Sequence, residues 1–468
     1  MLDIKENFLR IIFSPGNMSL RRRFPVLPAV CLLSGLLAAQ AAGQSFWRKN
    51  DRNTFIRNIQ FNFNIPSARA VGLGGAFVAI ADDATAGMAN PAGLTILTMP
   101  EVSAHFKESR FKHVEFAGNE LQRDLRKEFK NDVGSQSYLS LVYPHGKFAF
   151  SLYRQELINF ESSYAAPGFG SVFDYPLLDP DEFALGNNTR SDIQVNNWGL
   201  AFAYQPTRYL SLGISNITST LEFRFIEDLF QQQFQKNRPD RIFSVASNSS
   251  DVRYSVNFGL KFEPLQLFSF GAVYRSGPRF NIVNSIEDVR VDDLGRTNIL
   301  KANQGLVFKV PDVYSFGVAL RPLESLTLSL DMVRVEYSDL IKGLDRNLNE
   351  DDRPVSIPDF PYSRWVDSDG VQDLVLDDRT ELHFGVEYFM TLGRWQIPVR
   401  AGFYTDPSHV VHTTIESEAL QPLFPRGRDE IHGTFGLGFV LQNKIQLDTA
   451  VNFSRSVSEF LLSAVFRF

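Results

Sequence analysis

The chain has 468 residues, with 47 Lys and Arg against 53 Asp and Glu and a formal net charge of −6 at pH 7. That acidic balance makes it a poor nucleic-acid binder. Phe is the outstanding aromatic, with 42 copies, and the apolar residues are scattered along the chain instead of clustered. A soluble enzyme core clusters them, whereas a closed barrel in an outer membrane scatters them in this way.

The chain opens on what reads as an export leader. Arg21, Arg22 and Arg23 follow Met18, an apolar run extends from Phe24 to Ala39, and Ala39-Gln40-Ala41 offers a small-residue cleavage site. Residues 1–43 are therefore expected to be a signal peptide, with Met18 the start and residues 1–17 an upstream extension. Cys31 is the sole cysteine and lies in the apolar run. The preceding Pro28-Ala29-Val30 is a poor lipoprotein box, because the residue next to the cysteine is not small. Cleavage removes five basic and two acidic residues, takes the net charge from −6 to −9 and leaves no thiol, so disulfide and thiol chemistry drop out. No later segment reaches the roughly 18 consecutive apolar residues of a membrane-spanning helix.

Residues 44–98 are expected to form an N-terminal hatch. Their densest part, Gly72 to Leu94, is packed with Gly, Ala and Asp and stands directly before the alternating segments. Gly72, Gly74 and Gly75 invite a nucleotide-binding reading. It fails because Phe77 stands where the third glycine of the fingerprint belongs and no Lys-Ser/Thr follows.

From residue 99 onward the apolar period is 2, the mark of strands with one apolar and one polar face. Trp198 to Tyr204, Tyr254 to Phe262, Tyr314 to Val318 and Leu326 to Met332 all show it. A soluble sandwich alternates too. The turns separate the two architectures. Pro206, Pro264 and Pro322 lie in tight turns spaced 58 residues apart, one up-and-down excursion each. Further tight turns fall near Pro144-His145-Gly146, Leu392-Gly393-Arg394 and Gln442-Asn443-Lys444. Longer connections fall near 117–135, 158–191, 226–250, 284–304, 339–379 and 406–429, with a tight one near 455–458. The count gives an all-β, transmembrane antiparallel barrel of about 14 strands, with both ends on one side and short turns opposite long loops. A sandwich has no reason for that asymmetry.

On the polar faces stand Gly199, Gly213, Gly259, Gly271, Gly317 and Gly385, beside Lys261, Arg275, Asp331, Glu387, Arg400 and Asp448. Small residues there leave room, and the charges can hold a plug or line water. In FRFIEDLFQQQFQK, residues Phe225, Ile226, Leu229, Phe230 and Phe234 fall at helical spacings, so a helix is expected, either catching a ligand or packing on the rim. Asp345, Asn347, Asn349 and Asp351 space their oxygens like the start of a calcium loop, but Glu350 replaces the turn glycine and Ser356 the bidentate acid; a solvated acidic loop is the alternative. His409 and His412 are the closest pair of histidines, and with no Cys and no HExxH a metal site is not expected. No cofactor is indicated, and no G-x-S-x-G elbow occurs, although barrel enzymes lack one as well. The last strand, Phe460 to Phe468, ends on an aromatic with an apolar outward face, which resembles the signal read by the outer-membrane assembly machinery.

Gly72-Leu-Gly74-Gly75-Ala76, Ala81-Asp82-Asp83-Ala84 and Asn90-Pro91-Ala92 together resemble the hatch of the FadL/TodX family, outer-membrane channels for long-chain fatty acids and other hydrophobic compounds. The resemblance implies a transporter and not an enzyme, located in a Gram-negative outer membrane with both termini periplasmic. Its expected partners are lipid, lipopolysaccharide, an apolar solute and, through Phe468, the barrel-assembly machinery. It implies passive uptake: an apolar solute is caught among the loops, moves over the hatch and leaves sideways as the hatch shifts. Phe77 and Ile80 join the FRFIEDLFQQQFQK residues as candidate ligand contacts. Two departures stand out. The lead-in from Gln44 to about Pro66 is longer than usual, and the third strand, Phe148 to about Ile158, holds no Gly or Pro to mark the family's kink beside its side opening. Similar barrels with such hatches also serve as docking or shuttle components in protein secretion, and that role is the alternative.

Overall fold

Alternating segments joined by tight turns pair with their neighbours, and each added strand exposes a new edge until the sheet meets its own beginning. The computed structural model describes residues 67–115, 127–167, 182–233, 240–291, 296–342, 374–409, 412–413, 428–455 and 457–468. The expected leader and the lead-in to residue 66 lie outside them. The strands are β1 Glu101–Glu115, β2 Lys127–His145, β3 Phe148–Pro167, β4 Glu182–Thr207, β5 Leu210–Gln233, β6 Asp240–Leu265, β7 Phe268–Arg275, β8 Arg279–Val291, β9 Thr297–Lys309, β10 Val313–Leu323, β11 Leu326–Val335, β12 Leu374–Val375, β13 Arg379–Leu392, β14 Trp395–Asp406, β15 His412–Thr413, β16 Glu430–Leu441, β17 Ile445–Phe453 and β18 Val457–Arg467. Closure is antiparallel throughout: β1 pairs with both β2 and β18, and β5 with β6. The barrel has 14 strands, with the β8–β9 hairpin continuing β7 and β10 upward and β12–β15 forming a separate ribbon.

The tight turns fall where the sequence placed them. Gly146 and Gly393 turn with φ of +61° each, and Gln442-Asn443 turn with φ of +50° and +56°. The long connections are shorter than expected. β3, β4, β5 and β6 run on through residues assigned to the loops at 158–191 and 226–250, because the β4–β5 ladder keeps pairing up to Glu182 opposite Gln233. The loop expected at 284–304 is largely the β8–β9 hairpin.

Outward positions carry an apolar band. On β18, Phe460, Leu462, Phe466 and Phe468 are exposed while Leu461, Ser463, Val465 and Arg467 are buried, and the same alternation recurs on β10. Trp198, Tyr254, Tyr274 and Tyr314 form an outward aromatic girdle at its upper edge, where amphipathic rings suit a membrane interface. Among the described residues no helix is long and apolar enough to cross a membrane; the strands do the crossing.

Residues 67–100 fill the lumen. They form the helical turns α1 Ala68–Gly72 and α2 Ala86–Ala89 and a 3₁₀ turn, Pro91–Ile96, started by Asn90, whose side chain accepts from the Ala92 amide at 3.2 Å. The small residues are what let the segment fit. Almost all of it is buried.

Where β1 and β18 close the ring, Arg467 Nε donates to Glu101 Oε1 at 2.6 Å and Nη2 to Gln446 Oε1 at 2.9 Å. Arg467→Ala strands a buried carboxylate, a loss of about 3 kcal/mol. The expected outcome is a lower temperature at which the folded band of the heat-modifiable barrel converts to the unfolded one; an unchanged transition would contradict it.

Candidate functional site

The hatch is held by charged side chains on the inner wall. Glu387 receives Arg69 in a bidentate pair at 3.0 Å for both contacts, and Arg400 Nε approaches the same carboxylate at 2.7 Å while its Nη1 reaches Asp448 at 2.6 Å. Arg69 Nη1 also meets Asp82 at 2.6 Å. Burial pushes the Asp82 carboxyl upward, but the charges of Arg69, Lys261 and Arg321 outweigh it and hold the group below the usual carboxylate range. Burial pushes the Asp83 carboxyl upward as well, and there it prevails over Arg69 and the Thr85 hydrogen bonds, leaving the group above its ordinary value. Buried charges survive only when paired in this fashion.

Other wall groups seize the hatch backbone. Asp331 Oδ2 accepts from the amides of Phe77 and Val78 at 2.7 and 2.8 Å, Lys261 Nζ donates to the Ile80 carbonyl, and Arg275 Nη2 donates to the Ala89 carbonyl at 2.9 Å. Asn90 Nδ2 bonds the carbonyls of Val78 and Leu260, joining hatch to β6. All six inward charges singled out from the alternation thus engage the hatch or the ion network that holds it. The inward glycines make room: a Cβ at Gly271 would lie 2.4 Å from the Val78 carbonyl oxygen, and one at Gly213 2.3 Å from the Ala92 amide.

Above the hatch lies a cavity with about 420 Å³ of empty space, part of it open to solvent. Met88 of α2 forms its floor, and Leu157, Ile217, Pro278, Val310 and Val313 line its apolar side. Leu157, Val310 and Val313 also belong to a buried cluster higher in the lumen with Phe160, Ile193, Phe223, Phe280, Ile282 and Phe308. An apolar path therefore runs from the upper lumen to the hatch. One cation interrupts it: Arg275 lines the cavity, and its Nε is buried without a hydrogen-bond partner.

At the cavity's height β2 and β3 part. Their backbone pairing ends at Tyr138 opposite Gln155, while β1–β2 pairs on to Lys127 and β3–β4 to Pro167. The register of β3 shifts between Glu156 and Ile158, a bulge at Leu157. The third strand is therefore irregular without Gly or Pro, because a bulge needs only one extra residue on one strand.

The hatch residues Gly72, Gly74, Gly75, Asp82, Asp83, Asn90, Pro91 and Ala92 come together inside the lumen, Gly74 and Gly75 at positive φ. Phe77 and Ile80 are fully buried in the hatch–wall core and do not line the cavity. The helix expected in FRFIEDLFQQQFQK is overturned: β5 continues to Gln233. Pairing on both sides with β4 and β6 imposes period 2, leaving Phe225 against the lumen cluster and Ile226 exposed. Leu229 and Phe230 lie in that strand, and Phe234 lies outside the described residues, as do Asp345, Asn347, Asn349 and Asp351. Leu157, Met88 and Arg69 were missed. Arg69, the one cation between the Pro66 and Glu101 ends of the hatch, was the available signal.

A closed barrel with a seated hatch and an apolar path above it is a plugged channel for hydrophobic solutes. The family described as outer membrane protein transport protein (OMPP1/FadL/TodX) matches residues 61–459, and the chain belongs to that family. It is an outer-membrane transporter of hydrophobic compounds, not an enzyme. Similar solved structures include a Pseudomonas aeruginosa FadL homologue (15% identity, 88% of this chain and 99% of that one, TM-score 0.60) and the P. putida toluene transporter TodX (15%, 87% and 99%, 0.57). The CymD monoaromatic hydrocarbon channel is also similar (14%, 87% and 99%, 0.54). No curated protein sequence gives a significant match.

Asp331→Leu would leave two buried amides of the hatch without an acceptor, at about 1–3 kcal/mol each. The folded variant should show raised ion conductance in planar bilayers and faster protease cleavage within residues 67–100; wild-type conductance would remove Asp331 as an anchor.

Proposed function

We propose that this channel takes up long-chain fatty acids in preference to uncharged hydrocarbons. The observation that carries this is Arg275: a guanidinium with an unpartnered buried N–H, in a cavity that combines a polar group of Gln155, Asn197 and Asn257 with an apolar side of Leu157, Ile217, Val310 and Val313. Such a site suits a molecule with one anionic end and a long apolar body, since a charge-assisted hydrogen bond fixes the head while burial of the chain supplies affinity. Toluene or another bare hydrocarbon would leave that donor unsatisfied.

Residues 1–43 direct export, 44–98 form the hatch, and 99–468 form the barrel. Both barrel ends share one rim, where the Phe468 amide donates to the Pro100 carbonyl at 3.1 Å. That rim of short turns faces the periplasm, with Phe468 offered to the assembly machinery, and the long hairpins reach into lipopolysaccharide. A solute enters among the hairpins, passes the upper cluster and rests over Met88. No energy source is needed, because a protein-lined apolar path replaces a polar layer that an amphiphile crosses slowly.

The refolded wild-type barrel should bind a fluorescent long-chain fatty acid saturably. Arg275→Gln should weaken that binding by about 10-fold or more, the worth of a charged hydrogen bond, and leave an uncharged aromatic probe unaffected. Equal loss for both probes would point to a hydrocarbon channel. No saturable binding of either would favour the secretion-docking role.

A further inference from the structure

The wall has a second interruption, three strands along from the bulge in β3. β6 pairs with β7 only from Asn257 to Leu265 and with β8 only from Asp240 to Ser247. Its nine residues 248–256 have no backbone ladder on that side, although its other edge stays paired with β5. The sequence opposite explains the break. Pro278 and Pro311 have no amide to donate, and the Gly277 amide turns to Asp312 Oδ1 at 2.9 Å instead of to β6. At Gly277 a Cβ would lie 1.8 Å from the Val310 carbonyl oxygen, so only glycine allows the step. Beyond it, Phe280, Ile282 and Phe308 of the β8–β9 hairpin join the lumen cluster.

Side chains lace part of the gap. Asp251 Oδ2 accepts from the Asn281 amide at 2.7 Å, Ser249 Oγ accepts from the Val283 amide at 3.0 Å, and at the lower end the Ser276 amide donates to the Val256 carbonyl at 3.0 Å. Between these ties, none of the described hydrogen bonds joins Val252–Ser255 to β7 or β8, a run of about 13 Å along the strand. It begins at the aromatic girdle, beside Tyr254, which is 75% exposed. Ser255 on one edge and Ser276, Gly277 and Pro278 on the other all line the cavity over the hatch. The cavity thus abuts the gap from inside, and the membrane interface meets it from outside.

We propose that the β6–β7 seam is a lateral portal through which the hydrophobic solute passes between the cavity and the outer leaflet, with the Ser249 and Asp251 ties as its upper latch. This rests on the transport reading above. It gives the channel a route to the bilayer that does not need the hatch to move. Lipid cannot tolerate a bare strand edge in its apolar core, and the gap sits above that core, where interfacial water and headgroups can satisfy the backbone.

The test places Arg253→Cys and Arg279→Cys on opposite edges of the gap in a chain carrying Cys31→Ser, bridges them with a short cleavable bis-maleimide, and measures fatty-acid transfer into vesicles. A matching pair, Ser135→Cys and Glu156→Cys, bridges the β2–β3 seam. The expected result is at least a tenfold loss of transfer on bridging the β6–β7 seam, restored on cleaving the linker, with fatty-acid binding in detergent retained. Unchanged transfer in that protein, with loss only on bridging β2–β3, overturns the portal and leaves the transport reading intact. Absent transfer in the unbridged protein overturns both. Should the double variants fail to fold, Ser255→Cys gives a separate reading: a lipid-borne maleimide should label it at a rate near that of the outward Leu260→Cys, and labelling as slow as at the buried Ser215→Cys overturns the portal.

Discussion

A strand in hydrocarbon must have both edges paired, because lipid offers no partner to a backbone amide or carbonyl. Every large feature of this molecule follows from that constraint. The sheet closes β1 onto β18, side chains alternate between lipid and lumen, and the lumen becomes a narrow polar tube that something must fill. The hatch fills it. Its fit depends on a wall that is small where the backbone passes and charged where the backbone needs partners.

The same constraint says where the wall can be broken. Below the aromatic girdle the ladders are interrupted only over one or two residues at a time; the β2–β3 parting and the β6–β7 gap both begin at the cavity's level, near the interface. Charged anchoring below and loosened seams above divide the barrel into a rigid seat and an adaptable mouth. Arg69, Glu387, Arg400 and Asp448 belong to the first, and Leu157, Ser276 and Pro278 to the second. Arg275 belongs to both, bonding the hatch through Nη2 while it lines the cavity.

Much of the fold was legible beforehand because period-2 alternation and turn chemistry are local signals. The proline-bearing turns at 206, 264 and 322 marked one rim, and the inward set Lys261, Arg275, Asp331, Glu387, Arg400 and Asp448 could be picked out before their partners were known. The FRFIEDLFQQQFQK segment misled for an equally physical reason. Its apolar spacing fits 3.6 as well as 2, and only pairing with β4 and β6 decides between them. Strand lengths beyond the membrane were likewise hidden, since polar hairpin tips read as loops when their partners are unseen.

The sequence by itself determined that the chain makes a barrel with an inward row of glycines and charges and a small-residue segment fit to lie inside it, because alternation, turn residues and side-chain size act over a few neighbouring positions. Only the tertiary structure decided which charge grips which part of the hatch, that Leu157 bulges, and that Gly277-Pro278 and Pro311 stand at one height so that their separate breaks become a single gap. Those facts depend on register between strands far apart in the chain, and register is a property of the closed sheet.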